Sequence, residues 1–446
     1  MKRKISGDLV AWKNSSSRKP LVLRGARQVG KTYILKAFGA QEFRKLHYIN
    51  FEEDDRLEGL FAKDVRPARI LDELQFYLNG SIDREKDLLV FDEIQRCPRA
   101  LTSLKYFCEE MPELALCAAG SLLGVHLNSE SFPVGKVTFL DLFPMSFEEF
   151  LEGTGQDRLA GLLATQPFSA PVPEIAHEQL WEQWKLYLVV GGLPEAVKTY
   201  GEQQENRYDA LQAVRKIQRD LFDAYLADMA KHSGKMNALH IERLWKNVPV
   251  QLARTQDGSA PKFRFRDVIP GLRGYEQISG PLSWLERAEL VLRTSIVDAA
   301  ERPLAGHAQE NRFKLYFMDT GLLGAVSGIS PSVLLQYGFG SYQGYVAENF
   351  VAQELKAAGH RELTCWQGRT SEIEFLIERP EGTVPVEVKS GRVTHAKSLS
   401  VYIERYHPAQ AYILSARNMT SQNGRTGLPL YLVGRLAREL KNVLFQ

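Results

Sequence analysis

Cysteine is scarce in this chain: Cys97, Cys108, Cys117 and Cys365 are the only four in 446 residues. None stands in a C-x-x-C pair or at a metal-ligand spacing, which argues against a disulfide framework or a cysteine-held zinc site. All four read as reduced core residues of a cytoplasmic protein. An excess of charge is also missing. A net charge of +2 announces no nucleic-acid partner, so any basic surface has to be local. No apolar run approaches the roughly 20 residues of a membrane span. The basic opening, MKRKISGDLVAW, lacks the apolar stretch of a secretory signal. What remains is the composition of an ordinary globular protein, long enough for about two to four domains.

Within that plain background one stretch is specific. Residues 21–24, LVLR, read as a buried strand, and Gly25-Ala26-Arg27-Gln28-Val29-Gly30-Lys31-Thr32 follows at once. The octet fits G-x-x-x-x-G-K-[ST] at every fixed position, and residues 33–38 read as the helix that must come next. Glycines let the backbone wrap a phosphate, with amide N–H groups and the helix dipole pointing at it. Lys31 suits the β- and γ-phosphates, and Thr32 suits Mg²⁺. The bland alternative is a glycine-rich turn, and the full context argues against it. The octet predicts nucleoside triphosphate binding.

Downstream, residues 88–91, LLVF, run directly into Asp92-Glu93. Four apolar residues before two acids describe a buried parallel strand that delivers carboxylates at its C-terminal end. Asp92 would hold Mg²⁺ and Glu93 would polarise the attacking water. The competing reading is an acidic first helical turn. Residues 114–119 form another strand candidate, ending at Ser121, which is either a γ-phosphate sensor or a simple helix cap. Residues 46–51 and 137–140 read as further strands, and Ser146 with Glu149 as a capping box. Strands alternating with helices predict an α/β parallel sheet.

The middle of the chain is helical. Residues 156–178 read as a loose linker, 180–190 and 207–229 as helices, and 240–253 as another. Lys262-Phe263-Arg264-Phe265-Arg266 reads as a basic strand piece that either tracks a nucleic-acid backbone or lies at a sheet edge. A helix is expected over 281–292, then strands over 292–297 and 312–318, which together suggest a winged-helix-like module. In the last block a helix over 345–358 carries Glu348. Residues 371–377 alternate as a strand, a turn follows at 380–382, and 384–389 return. Glu374, Glu387 and Lys389 then meet on one sheet face, with Glu348 as an accessory acid. Two carboxylates and a lysine at a sheet edge can bind Mg²⁺ and orient a water for phosphodiester cleavage, the spacing of the PD-(D/E)xK nuclease core. A cross-strand salt bridge on a solvated face is the competing reading.

These pieces together resemble a family of prokaryotic AAA-type ATP-binding proteins whose C-terminal half carries a domain of unknown function. The resemblance runs through LRGARQVGKT, LLVFDEIQRCPRALTSLKYF, AAGSLLG, LFPMSFEEFL, YLVVGGLPEAV, NRFKLYFMDTGLL, GYVAENFVAQEL, SEIEFLIE and PVEVKSG. It implies an AAA-type P-loop ATPase core over 1–152, a helical lid over 153–230, a winged-helix-like domain over 231–335 and a restriction-endonuclease-like domain over 336–446. It implies ATP and Mg²⁺ as cofactors. The partner would be DNA or a protein, another copy of the chain included, and not a membrane. Two positions depart from the family pattern: Lys136 stands where arginine is usual, losing the planar fork that suits a phosphate, and Glu374 stands where aspartate is usual. The leading expectation is an ATPase that drives a DNA-associated nuclease-like domain. The alternative is a nucleotide-dependent switch or protein-interaction module with slow hydrolysis and an inert nuclease fold.

Overall fold

The computed structural model describes residues 1–121, 135–253, 262–266, 268–337, 340, 342–392, 396–422 and 424–441. They fall into two compact units: Met1–Phe143 with Arg287–Glu289, and Pro144–Glu286 with Leu290–Gln446.

The first unit is built on five strands: β1 (Leu21–Arg24), β2 (Lys45–Asn50), β3 (Asp87–Asp92), β4 (Ala115–Ala119) and β5 (Thr138–Asp141). All pair in parallel, in the order β2-β3-β4-β1-β5. Their apolar runs explain this, because a strand covered on both faces carries no alternation. Every residue of β3 and of β4 is buried. Phe51, Phe61, Phe91 and Phe107 meet edge to face at ring separations of 5.5–6.2 Å. Each such buried ring stabilises by about 1.5–3 kcal/mol. The parallel arrangement has a direct consequence. The residues that follow β1, β3 and β4 all emerge at the same edge of the sheet.

The second unit joins helices to an eight-stranded sheet. Its strands are β6 (Val291–Val297), β7 (Ala308–Phe317), β8 (Leu363–Gln367), β9 (Glu372–Arg379), β10 (Gly382–Val388), β11 (Ala411–Ser415), β12 (Thr420–Gln422) and β13 (Arg425–Pro429). Their order is β12-β13-β11-β10-β9-β8-β6-β7. The β9–β10 hairpin expected around residues 380–382 is present, with Arg379 opposite Gly382 at its mouth. Gly382 has φ of +147°, a conformation open to glycine and costly for other residues.

Several expectations need correction. The first compact unit closes at Phe143, within the 1–152 expected for the ATPase core. Phe147 and Phe150 follow a Ser146–Glu149 capping box and bury their rings against Tyr187, with Phe147 also meeting Phe350. The 335/336 boundary crosses a continuous sheet, because β6 pairs in parallel with β8 through Ser295–Thr364 and Ile296–Cys365. The β6–β7 pair expected of a winged-helix-like module is therefore one edge of the C-terminal sheet. The linker over 156–178 contains a helix, Asp157–Thr165, that buries Leu159, Ala160 and Leu163. Residues 262–265 form no strand. Phe263 donates one backbone hydrogen bond to Phe313 at 2.8 Å while Lys262, Arg264 and Arg266 stay exposed. The helix expected from residue 281 starts at Tyr275, with Pro281 inside it rather than at its first turn.

Candidate functional site

The loop after β1 turns on two glycines with positive φ, Gly25 at +153° and Gly30 at +99°. A Cβ on Gly25 would stand 2.4 Å from the Leu142 carbonyl oxygen, so packing as well as conformation demands glycine there. Ala26 and Val29 point into the core, while Arg27 and Gln28 face outward. Arg3 braces the loop from outside the motif by donating to the Val29 carbonyl at 2.9 Å and the Phe143 carbonyl at 2.7 Å. The helix Lys31–Glu42 begins where the loop ends.

Lys31 is 6% exposed and its ammonium donates to the carbonyls of Gly25 at 2.9 Å and Ala26 at 2.8 Å. Burial pushes its pKa below the ordinary lysine value, opposed by the carboxylates of Glu93 and Asp92. Thr32 donates its hydroxyl to Asp92 Oδ2 at 2.6 Å, and Tyr48 donates to the same oxygen at 2.7 Å. The other Asp92 oxygen accepts from the Glu93 amide at 3.0 Å. A hydroxyl and a carboxylate in contact beside a buried lysine fit Mg²⁺ and a phosphate chain. Thr32 and Asp92 would hold the ion, and Lys31 would meet the phosphates.

Glu93 takes a left-handed backbone conformation, φ +51°, which is unusual for a glutamate. Its Oε2 accepts from Gln95 Nε2 at 2.5 Å and from the Ser121 hydroxyl at 3.2 Å. Ser121 thus meets Glu93 directly at the end of β4. Lys136 pairs with Glu109 at 2.9 Å on the surface of this unit. Tyr48, Gln95 and Arg3 were not singled out by the sequence. Alternation along β2 and the Q two residues after D-E were the only signals available for the first two.

In the second unit the structure gathers the C-terminal acids. Glu348 lies on the helix Tyr342–Ala357, Glu374 on β9 and Glu387 on β10, and all three are buried. Glu387 Oε1 pairs with Lys389 at 2.7 Å, while its buried Oε2 has no hydrogen-bond partner. Glu374 Oε2 accepts from the Val388 amide at 2.9 Å. Burial, then the charge of Glu348, pushes the Glu374 carboxyl up to about 8, with Lys389 opposing. Glu348 Oε2 is occupied by the Tyr316 hydroxyl at 2.7 Å and the Lys314 ammonium at 3.4 Å. Lys314, Tyr316 and Glu372 are further members that the sequence reading missed. A lysine inside the apolar strand RFKLYF was the signal for the first. For a metal the fit is incomplete. The orphaned Glu387 oxygen would suit a cation, yet no three His, Cys, Asp or Glu side chains converge on one ion among the described residues. The convergence decides, because one open oxygen does not coordinate a divalent ion.

Comparison with known families finds three matches. Residues 17–151 match an AAA domain, residues 181–333 a domain of unknown function (DUF8612), and residues 343–433 another (DUF4143). No curated protein matches. Among solved structures, a Walker-type ATPase of Pyrococcus abyssi is 15% identical, over 73% of this chain and 95% of that one, with a TM-score of 0.45. The RuvB Holliday junction branch migration motor of Thermotoga maritima is 16% identical, over 65% and 87%, with a TM-score of 0.31. The Aeropyrum pernix ORC1 protein, solved in complex with DNA, is 14% identical, over 73% and 91%, with a TM-score of 0.29. The AAA-domain match, the five parallel strands and the loop after β1 make the first unit a P-loop domain of the AAA type. No helix among the described residues is long and apolar enough to cross a membrane.

Proposed function

We propose that this protein binds ATP with Mg²⁺ in the first unit and hydrolyses it. The observation that carries the reading is the Thr32–Asp92 contact at 2.6 Å beside the buried Lys31. Gly25, Ala26, Arg27, Gln28, Val29 and Gly30 cradle the phosphates through the loop backbone. Lys31 exchanges the Gly25 and Ala26 carbonyls for phosphate oxygens, which are stronger partners for an ammonium. Thr32 and Asp92 would hold the ion, and its charge would be supplied to the phosphates there. Glu93 receives the proton of the attacking water, and its left-handed backbone is the strain that aims it. Gln95 and Ser121 hold that carboxylate until substrate arrives.

Hydrolysis then drives movement of the rest of the chain, in which we place a helical lid and a restriction-endonuclease-like C-terminal fold whose sheet includes β6 and β7. The partner we propose is DNA, met by the exposed cations Lys262, Arg264 and Arg266. A second reading keeps the same nucleotide site but makes it a switch with an inert nuclease fold. The commitment of Glu348 to Tyr316 and Lys314 favours it.

ATP turnover and plasmid cleavage in Mg²⁺ or Mn²⁺ test both. The wild type should turn over ATP and Lys31→Ala should not; turnover unchanged in Lys31→Ala sinks the nucleotide-site assignment. Cleavage by the wild type that is lost in Lys389→Ala supports a working nuclease site at Glu374, Glu387 and Lys389. Absence of cleavage in every form supports the switch.

A further inference from the structure

The C-terminal cluster contains a lysine that the proposed function leaves without a role. Lys314 lies on β7, the edge strand, and β6 and β8 separate it from β9. Its ammonium nevertheless crosses that face of the sheet to make direct contact with Glu372 on β9, and it stands 3.4 Å from Glu348 Oε2. Lys314 is 1% exposed and Glu348 is 2% exposed, so water does not screen their attraction. The Tyr316 hydroxyl, two residues on and on the same face of β7, occupies the same Glu348 oxygen at 2.7 Å. In this arrangement Glu348 already has a cation and a hydroxyl donor.

A divalent ion in the cluster would need oxygens from more than one of Glu348, Glu374 and Glu387. To such an ion Glu387, 1% exposed, offers one oxygen without a hydrogen-bond partner, its Oε2. The Glu348 oxygen is what it cannot obtain while Lys314 is in place. An ammonium and a divalent cation both satisfy buried carboxylates, and only one of them fits beside Glu348. We infer that Lys314 is a built-in cation, whose ammonium, held between Glu348 and Glu372, occupies the Glu348 oxygen that a divalent ion would need and keeps the C-terminal cluster closed to metal. The inference deepens the second reading of the function and does not depend on the nucleotide site.

The test uses the full-length, nucleotide-free protein, titrated with Mn²⁺ and followed by electron paramagnetic resonance of the free ion. Thermal melts in EDTA and in Mn²⁺ run beside it. The wild type should have no Mn²⁺ site that depends on Glu387. Lys314→Met should gain a site at least about tenfold tighter than any in the wild type. It should also melt higher in Mn²⁺ than in EDTA, and both gains should vanish in Lys314→Met with Glu387→Gln. Wild-type Mn²⁺ binding that is lost on Glu387→Gln overturns the inference and leaves a metal-dependent nuclease reading standing. No gain in a folded Lys314→Met also overturns it, and takes the metal-dependent reading with it. If Lys314→Met does not fold, Lys314→Gln, which keeps a donor toward Glu348, enters the same titration. The wild-type arm can overturn the inference whichever variant folds.

Discussion

Lys31 and Lys314 are both buried lysines beside carboxylates, yet the chain holds them in opposite ways. Lys31 rests on two neutral carbonyls, those of Gly25 and Ala26. Burial dominates there and pulls its pKa down. Lys314 rests on the carboxylates of Glu348 and Glu372. Burial pulls against it as well, but those two charges outweigh burial and raise its pKa well above the ordinary lysine value. The difference teaches what makes a buried cation useful. Phosphate oxygens outcompete a carbonyl for an ammonium, whereas an incoming ligand gains little against two buried carboxylates. On the function proposed, one lysine would be kept for a ligand, while the other is already spent on Glu348 and Glu372.

The comparison can be broken most sharply at Lys31. Lys31→Ala should lower ATP turnover by about 100- to 1,000-fold, the scale for losing one preorganised charge donor. A steady-state phosphate-release assay reads it, and a loss of less than a few fold would mean the lysine is not held for phosphate. Glu93→Gln should lower turnover by about 100-fold or more while ATP binding, followed by calorimetry, is kept. Loss of binding instead would make Glu93 a structural residue.

On the other side, Lys314→Met leaves Glu348 and Glu372 buried without their cation. Denaturant unfolding in EDTA should show a loss of about 3–5 kcal/mol, the range for breaking a buried pair by removing one partner. Lys389→Met, at a side chain 29% exposed, should lose clearly less. Equal losses would mean that full burial does not make the Lys314 pairs costlier to break than the partly exposed Lys389 pair. A smaller effect is expected at Tyr48→Phe, which removes one hydrogen bond to Asp92. Stability should fall by about 1 kcal/mol, and the Mg²⁺ needed for half-maximal turnover should rise up to about tenfold.

A titration outside both sites gives the reference for these melts. Burial lowers the pKa of His360 below its ordinary 6.5, while its ring nitrogen stands 2.8 Å from the Ala437 carbonyl oxygen. The neutral ring is therefore the form the fold keeps. Its contribution is complete above pH 6.5 and is lost as pH falls below that, because the unfolded chain takes up the proton first. Melts at pH 7.5 and 5.5 should differ less in His360→Gln than in the wild type. An unchanged difference would assign the acid sensitivity elsewhere.

How much of this was legible in the sequence follows from the range of each interaction. The loop at Gly25–Thr32 is readable because its lysine, threonine and glycines act within eight residues of one another. β3 is readable because four apolar residues announce it and two acids end it. Tyr48 was not, since its contact with Asp92 exists only once β2 is known to lie beside β3. Gln95 sits beside Glu93 in sequence, but its role depends on the left-handed turn that brings it back to the carboxylate. Lys314 was hidden for a longer-range reason, because its partner on β9 lies across two intervening strands. The partners of Phe147 and Phe150 escaped because the pattern in LFPMSFEEFL fixes a helix and a buried face without saying what that face buries against. Tyr187 and Phe350, which meet it, lie far along the chain.

The contrast between an available and a spent lysine is tested most directly by counting Mn²⁺ bound per chain with and without ATP. The account predicts about one ion that appears only with ATP and disappears in Lys31→Ala. An ion bound without nucleotide, indifferent to Lys31→Ala and lost in Glu387→Gln, would contradict it.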